Sequence, residues 1–302
     1  MDVADLSASL PCRVCGGTAR YMLEASDENR RISAEAFHYF RCGACGLVFL
    51  SNVPEDLNRY YADEYYAIPT LEELGRVAAK DRSRIELILR FATGGRLLEI
   101  GPAVGVFAWQ AKHSGFDVEA IEMDARCCRF LADSVGIRTL RSDAPHEAMV
   151  RMGPHDVIAI WHVIEHLPEP FAFLKAAAAN LAPGGILAMG TPNPEAFQFQ
   201  IMGARWPHLD APRHVALIPA PLLSRVAGEL GLKLVHLTAN DEEARRWNRF
   251  GWQRLLMNRM PGRIGAAIGY VGGTLLSLPM AWRDRAGFNG TAYTAAFRKE
   301  AA

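Results

Sequence analysis

The residues best suited to chemistry fall into three groups along this 302-residue chain. Cys12 and Cys15, in "CRVCGG", and Cys42 and Cys45, in "CGACGLVF", form two C-x-x-C pairs, and Gly16 or Gly46 follows the second cysteine of each. A thiolate pair on a tight turn supplies half of a tetrahedral zinc site, and two such pairs supply all of it. The second group lies in "RLLEIGPAVGVFAWQ" (96–110), where an apolar run ends at Glu99 and a turn follows with Gly101 and Gly105. Glu122 comes 17 residues after Gly105, at the end of the next apolar run. The third comprises His162, Glu165 and His166 in "IAIWHVIEHLPEP", with Trp206, His208, Asp210, Arg213 and His214 in "ARWPHLDAPRHVALIPAPLL". Histidine at a strand end suits proton transfer near neutral pH.

The glycine-rich turn poses the question of which nucleotide it serves. A dinucleotide fingerprint needs glycine at 101, 103 and 106, and the chain has Gly101, Ala103 and Val106. A phosphate-cradling loop needs Gly-Lys-Ser/Thr at its end, and Val106–Phe107 supplies none of it. Without a phosphate cradle, two carboxylates remain. Glu122 is placed to chelate two ribose hydroxyls, and Glu99 to hold an ammonium group through ordered water or the loop amides. A ligand with a ribose, an ammonium and no phosphate is S-adenosylmethionine.

These residues need a frame. Strands are predicted near 96–100, 117–122, 137–141, 156–161, 185–190 and 232–238, most of them separated by helices, with a final edge strand in 289–299. Near-continuous apolar strands alternating with helices imply a mostly parallel sheet covered on both faces. The stretch 71–91 reads as one amphipathic helix. The predicted organisation is a zinc ribbon over 1–50, a Tyr-rich connector and helix over 51–94, and the main domain over 95–302 with a helical insert near 241–288. The insert contains "IGAAIGYVGGTLLSLPMAW" (264–282), which has no charge and has Gly265, Gly269 and Gly273 at helix-dimer spacing. Residues 289–299 must return to the sheet, so the insert is expected to pack on the core or lid the site rather than span a bilayer. Peripheral membrane contact through 264–282 is left open.

Lysine plus arginine balance aspartate plus glutamate at 33 each, which offers no electrostatic argument for a nucleic-acid partner. The start "MDVADLSASLPC" lacks the pattern of a signal peptide. Paired C-x-x-C spacing favours metal over disulfide, so the expected location is the cytoplasm.

"LLEIGPAVG", "VEAIEMD" and "RSDA" resemble the first motifs of the class I S-adenosylmethionine-dependent methyltransferases. The resemblance implies a Rossmann-like, doubly wound, mostly parallel seven-stranded sheet over about residues 95–300. It adds Asp143 and Ala144 as adenine contacts to Glu99, Gly101, Gly105 and Glu122. The segment after strand four and the "W…PRH" segment resemble elements facing the acceptor. This casts His166, His162, Glu165 and His214 as catalytic candidates and Trp206 and Arg213 as acceptor contacts. An H-x-x-E-H cluster also offers divalent-metal ligands. A zinc ribbon ahead of such a core is similar to a bacterial subgroup associated with sugar and polysaccharide modification, which implies O-methylation of a glycan or other small-molecule hydroxyl. Two alternatives stand beside it: a zinc-ribbon RNA methyltransferase, and a non-catalytic cofactor-binding adaptor, the latter suggested by Ala103. The sequence leaves open the acceptor, the choice among O-, C- and N-methylation, and the oligomeric state.

Overall fold

The computed structural model describes residues 9–61, 66–260 and 262–300, so part of the Tyr-rich connector lies outside the described residues. The main sheet has seven strands, β5 (Gly95–Ile100), β6 (Phe116–Glu122), β7 (Arg138–Arg141), β8 (His155–Trp161), β9 (Leu181–Pro192), β11 (Leu232–Thr238) and β12 (Ala292–Lys299). Their spatial order is β11-β12-β9-β8-β5-β6-β7. β5 to β9 run parallel, and β12 runs antiparallel to both β9 and β11.

The apolar strands alternate between two cores. Leu98, Ile158, Ile160 and Leu187 face one, with Phe173 and Leu174 of helix α6 (Pro170–Asn180) and Leu222 and Leu223 of α8 (Ala220–Glu229). Leu97, Val157, Ala159 and Ile186 face the other, with Ile85 and Ile88 of α2 (Ser83–Leu89) and Phe107 of α3 (Val106–His113). Burial on both faces is why these strands read as unbroken hydrophobic runs.

Two expectations are corrected. The last strand is interior: β12 separates β11 from β9, and Tyr293, Ala295, Ala296 and Phe297 are buried. Covered on both faces and both edges, it needs small and aromatic residues, which is why its alternation looks loose. The helix expected over 71–91 is two, α1 (Leu71–Lys80) and α2, broken at Asp81–Arg82. The Gln110 amide nitrogen donates to the carbonyls of Ala78 (2.6 Å) and Asp81, satisfying the exposed end of α1.

The cysteine-bearing module forms a second, antiparallel sheet from β1 (Leu10–Pro11), β2 (Thr18–Ala25), β3 (Phe37–Cys42) and β4 (Val48–Leu50). It is completed by β10 (Ala216–Leu217), which comes from the main domain and pairs with β4. The module is therefore stitched to the segment 207–215. Its strongest tie is Arg213, fully buried, whose guanidinium donates to Asp27 at 2.7 Å and to both Asp210 carboxylate oxygens at 2.8 Å. The Tyr39 hydroxyl donates to the His214 carbonyl at 2.8 Å.

Between β11 and β12 the insert is a helical hairpin, α9 (Glu242–Arg259) and α10 (Gly262–Asp284). Asp241 caps α9 by accepting from the Ala244 N–H at 2.8 Å. The glycine row of α10 packs on α9 within the same chain: Cβ atoms built on Gly269 and Gly273 would lie 2.7 and 2.4 Å from the backbone of Met257 and Gln253.

A buried charge that loses its partner costs far more than the pair contributed. Arg213→Ala is therefore expected to destabilise the protein by about 3–5 kcal/mol, because it strands the Asp27 and Asp210 carboxylates. Adding Asp27→Asn should recover part of that loss. Urea denaturation checks this, and a loss below about 1 kcal/mol would show that the tie carries little.

Candidate cofactor and acceptor site

The turn after β5 is shaped by backbone as much as by side chains. Gly101 (φ +65°) and Gly105 (φ +82°) occupy the left-handed region, and a Cβ on either would clash with Val163 at 2.5 Å or Leu131 at 2.4 Å. Ala103 takes the same region at φ +52°, a conformation disfavoured for a residue with a Cβ. The position is held all the same, because the Ala103 N–H donates to Glu122 Oε2 at 2.9 Å. Glu122 Oε1 accepts from the Asp124 N–H at 2.8 Å. Each carboxylate oxygen keeps a second lone pair for a ribose hydroxyl.

Glu99 is buried at the end of β5, and its Oε2 meets no hydrogen-bond donor among the described residues. Burial pushes its pKa up to about 8, against the pull of the Arg84 guanidinium and with the Glu122 charge adding. A buried acid waiting for a cation fits the ammonium of S-adenosylmethionine. Asp143 is exposed and Ala144 half-buried, just past the end of β7, where Ser142 N–H donates to the Glu122 carbonyl at 3.0 Å. The residues present fit this cofactor: Glu122 for the ribose, Glu99 for the ammonium, and Gly101 and Gly105 for close approach.

The neighbouring loop carries the histidines. Val163 touches Gly101, so the segment after β8 lies directly beside the cofactor turn. His162 (φ +56°) and the 3-10 turn Ile164–His166 follow the strand. Glu165 is fully buried; its Oε2 accepts from Thr191 Oγ1 at 3.0 Å, and its Oε1 lies 3.6 Å from His162 Nδ1 and 4.0 Å from His214 Nε2. Burial works against this carboxylate, but the His162 imidazolium beside it leads the contacts that bring its pKa down to about 2. His162 Nε2 lies 2.9 Å from Glu243 Oε1. Burial opposes its protonation, yet the Glu165 and Glu243 carboxylates raise its pKa to about 9, so it is a locked imidazolium at neutral pH.

His166 is different. Burial and the neighbouring His214 lower its pKa to about 4, which keeps it neutral. Its Nδ1 lies 3.1 Å from the Arg213 carbonyl and 2.8 Å from the Tyr61 hydroxyl. A carbonyl only accepts, so the proton belongs on Nδ1 and the lone pair on Nε2. His214 shows the same pattern, with Nδ1 donating to the His208 carbonyl at 2.8 Å. The two rings meet edge to face at 4.5 Å. One ligand atom each from Glu165, His166 and His214 falls within 4.8 Å of the others, close enough to hold a divalent cation.

Trp206 and Arg213, expected at the acceptor, sit elsewhere. Trp206 is 1% exposed and stacked on Phe199 at 4.7 Å, and Arg213 is 0% exposed in its carboxylate pair. Both are packed into the structure of the segment 204–215. Two residues not singled out in the sequence enter the site instead: Glu243 from α9 and Arg84 from α2, paired with each other, with the Arg84 guanidinium 5.2 Å from the Trp161 ring centre. An Asp-x-Glu start to a helix signals only a cap, so nothing local in the sequence marked Glu243.

The four cysteine sulfurs also converge. Cys12 and Cys45 Sγ are 3.6 Å apart, Cys15 and Cys42 Sγ 3.5 Å, and all four lie within 4.8 Å. Tetrahedral zinc with bonds of about 2.3 Å puts sulfurs about 3.8 Å apart, so the cluster fits structural zinc. Burial disfavours the Cys42 thiolate, but the N–H groups of Cys45 and Ala44 bring its pKa down to about 6.

Residues 71–237 match the family model described as "Methyltransferase domain". Among curated proteins, the chain is 28% identical over 133 residues to a ubiquinone biosynthesis O-methyltransferase of Bordetella avium, covering 41% of this chain and 55% of that one. It is 31% identical over 119 residues to a protein of the same name from Cereibacter sphaeroides, covering 37% and 48%. The chain thus aligns with about half the length of these relatives. A SAM-dependent methyltransferase structure from Archaeoglobus fulgidus superposes with a TM-score of 0.50 at 16% identity, covering 75% of this chain and 94% of that one. At that identity the likeness speaks for the fold.

If Glu122 holds the ribose, Glu122→Ala removes two charge-assisted bonds and is expected to weaken S-adenosylhomocysteine binding by about 2–3 kcal/mol. Calorimetry on the folded variant checks this, and unchanged affinity would remove the ribose assignment.

Proposed function

The chain belongs to the methyltransferase-domain family, and we propose that it transfers the methyl group of S-adenosylmethionine to a hydroxyl oxygen of a small molecule. The observation that carries this reading is a neutral imidazole, His166, set edge to face against His214 over a buried carboxylate and next to the cofactor turn. The cofactor, when bound, supplies an electrophilic methyl on a sulfonium. The chain's own residues do the rest. Glu99 and Glu122 fix the cofactor by its ammonium and ribose. The His166–His214 pair accepts the hydroxyl proton as the methyl transfers, and Glu165 stabilises the imidazolium that forms. His162, already protonated, spans Glu165 and Glu243 and keeps the loop in register.

The O-methyltransferase names of the aligned relatives support oxygen as the methylated atom. A sugar acceptor finds less support, because Trp206 and Arg213, the expected acceptor contacts, are buried in the packing. A second reading is favoured by the convergence of Glu165, His166 and His214 within 4.8 Å: a divalent cation held there would acidify the hydroxyl by coordination. The RNA reading is not favoured by the site, whose walls are imidazoles and carboxylates.

Labelled S-adenosylmethionine offered with dihydroxyphenols and with nucleotide sugars tests the proposal. With a competent acceptor, His166→Ala and His214→Ala should each lower turnover by about 10²–10⁴ while cofactor affinity stays within about twofold. Wild-type turnover in both variants would contradict the assignment. Complete loss on chelation, restored by added divalent cation, would replace the base reading with the metal one.

A further inference from the structure

The α9–α10 hairpin is packed inside out. The small residues of α10, with Gly269, Gly273 and Ser277 buried, lie against α9. Ile264, Ile268, Val271, Leu275, Leu278 and Trp282 recur at three- and four-residue steps on the opposite face, and each is more than half exposed. A soluble helix ordinarily does the reverse. The row is a continuous apolar ridge of large side chains, the kind of surface that marks an interaction site.

Charge separates the hairpin from the rest of the chain. Residues 242–285 carry eight arginines, no lysine and three acids in a protein whose net charge is zero. Two of the acids, Glu243 and Asp284, are buried and engaged, by Arg84 and by the Trp252 indole N–H. A groove of about 460 Å³ runs between α9 and α10, with Arg245, Arg246, Arg249 and Arg285 on its walls and Leu278 shared with the apolar ridge. Arg246 pairs with Asp81 at 2.6 Å, whereas Arg249, Arg259, Arg263 and Arg285 make no ion pair among the described residues. The ridge ends at Trp282, with the Arg283 guanidinium 4.2 Å from its ring centre.

We propose that this hairpin docks on the surface of an anionic lipid bilayer, with the Ile264–Trp282 ridge at the acyl boundary and the arginine groove on headgroup phosphates. A large apolar face flanked by arginine and bounded by tryptophan is what an in-plane membrane helix requires. The helix has 23 residues and is apolar enough to cross a bilayer. It does not cross, because the chain returns at Ala292 to pair with β9 and β11 in the same sheet. A second copy docked face to face would bring two sets of unpaired arginines together. A nucleic acid would reward the arginines and leave six large apolar side chains in water. Only an anionic lipid surface satisfies both halves. α9 also carries Glu243, 2.9 Å from His162, so one helix joins the docking surface to the site. The inference goes beyond the methyl-transfer reading and does not depend on it.

Cosedimentation of the full chain with vesicles tests it. Vesicles of phosphatidylcholine containing about one-third phosphatidylglycerol should capture the protein at low salt, about tenfold more than pure phosphatidylcholine, with release at high salt. Leu275→Glu combined with Leu278→Glu should lower capture about tenfold or more, and Arg249→Glu combined with Arg285→Glu should erase the preference for anionic lipid. All these side chains sit at the surface or in the open groove, so wild-type melting temperatures are expected; should the paired glutamates misfold, Ile268→Ser reads the same ridge. Failure to bind either vesicle, or capture unaffected by the ridge variants, would overturn the proposal. A dimer by light scattering that Leu275→Glu dissolves, without vesicle capture, would assign the face to a second copy. Binding an RNA oligonucleotide in place of vesicles would assign it to nucleic acid.

Discussion

A carboxylate taken wholly out of water must be surrounded by donors or cations, and Glu165 imposes that demand on the whole molecule. Thr191 at the end of β9 supplies its one hydrogen bond among the described residues, and the charge of His162 three residues earlier faces its other oxygen, with His214 on the segment after β9 4.0 Å away. The loop after β8 must therefore curl back, which puts His162 in the left-handed region. The segment 207–215 must lie over the loop, and the Val215 N–H donates to the Glu165 carbonyl at 2.8 Å. That segment is irregular backbone and needs support of its own, which the cysteine module supplies through Arg213 with Asp27, Tyr39 with the His214 carbonyl, and β10 with β4. One buried charge thus ties the cysteine module, the segment 207–215 and the sheet together. Packing explains the module's place in the molecule, and its four cysteines fit zinc.

A second buried acid repeats the theme from the other side. Glu243 is nearly inaccessible and is held well below the usual carboxylate range: burial opposes ionisation, but Arg84 and His162 more than compensate. It draws α9, and with it the hairpin, onto the carboxyl ends of the strands. The two acids share His162 as a common cation, which sets that imidazole apart from His166 and His214, the proposed proton acceptors.

Much of this was legible in the sequence wherever the determinant was local. Alternating apolar strands, the Glu99–Gly101–Gly105 turn, the Glu122 strand end and the C-x-x-C knuckles each carry their signal within a few residues, and the structure brings them together as their spacing implies. What stayed hidden depends on partners far along the chain. Arg213 and Trp206 look like ligand contacts until Asp27, 186 residues away from Arg213, and Phe199 are seen to occupy them. Glu243 meets His162 across 81 residues and Arg84 across 159. β12 gives no sign that it will be inserted between two earlier strands. Net charge hides local charge for the same reason: a sum of zero conceals eight arginines gathered on one hairpin.

On the proposed reading Glu99 would hold the cofactor's ammonium and Glu122 its ribose, with His166 and His214 reachable from the methyl across the Val163–Gly101 contact. A crystal structure with S-adenosylhomocysteine tests this most directly. The account predicts both ribose hydroxyls on the Glu122 carboxylate, the ammonium within hydrogen-bond or one-water reach of Glu99 Oε2, and an open path from the sulfur to the two imidazoles. A ligand bound away from Glu122, or a sulfur walled off from His166 and His214 by protein, would contradict it.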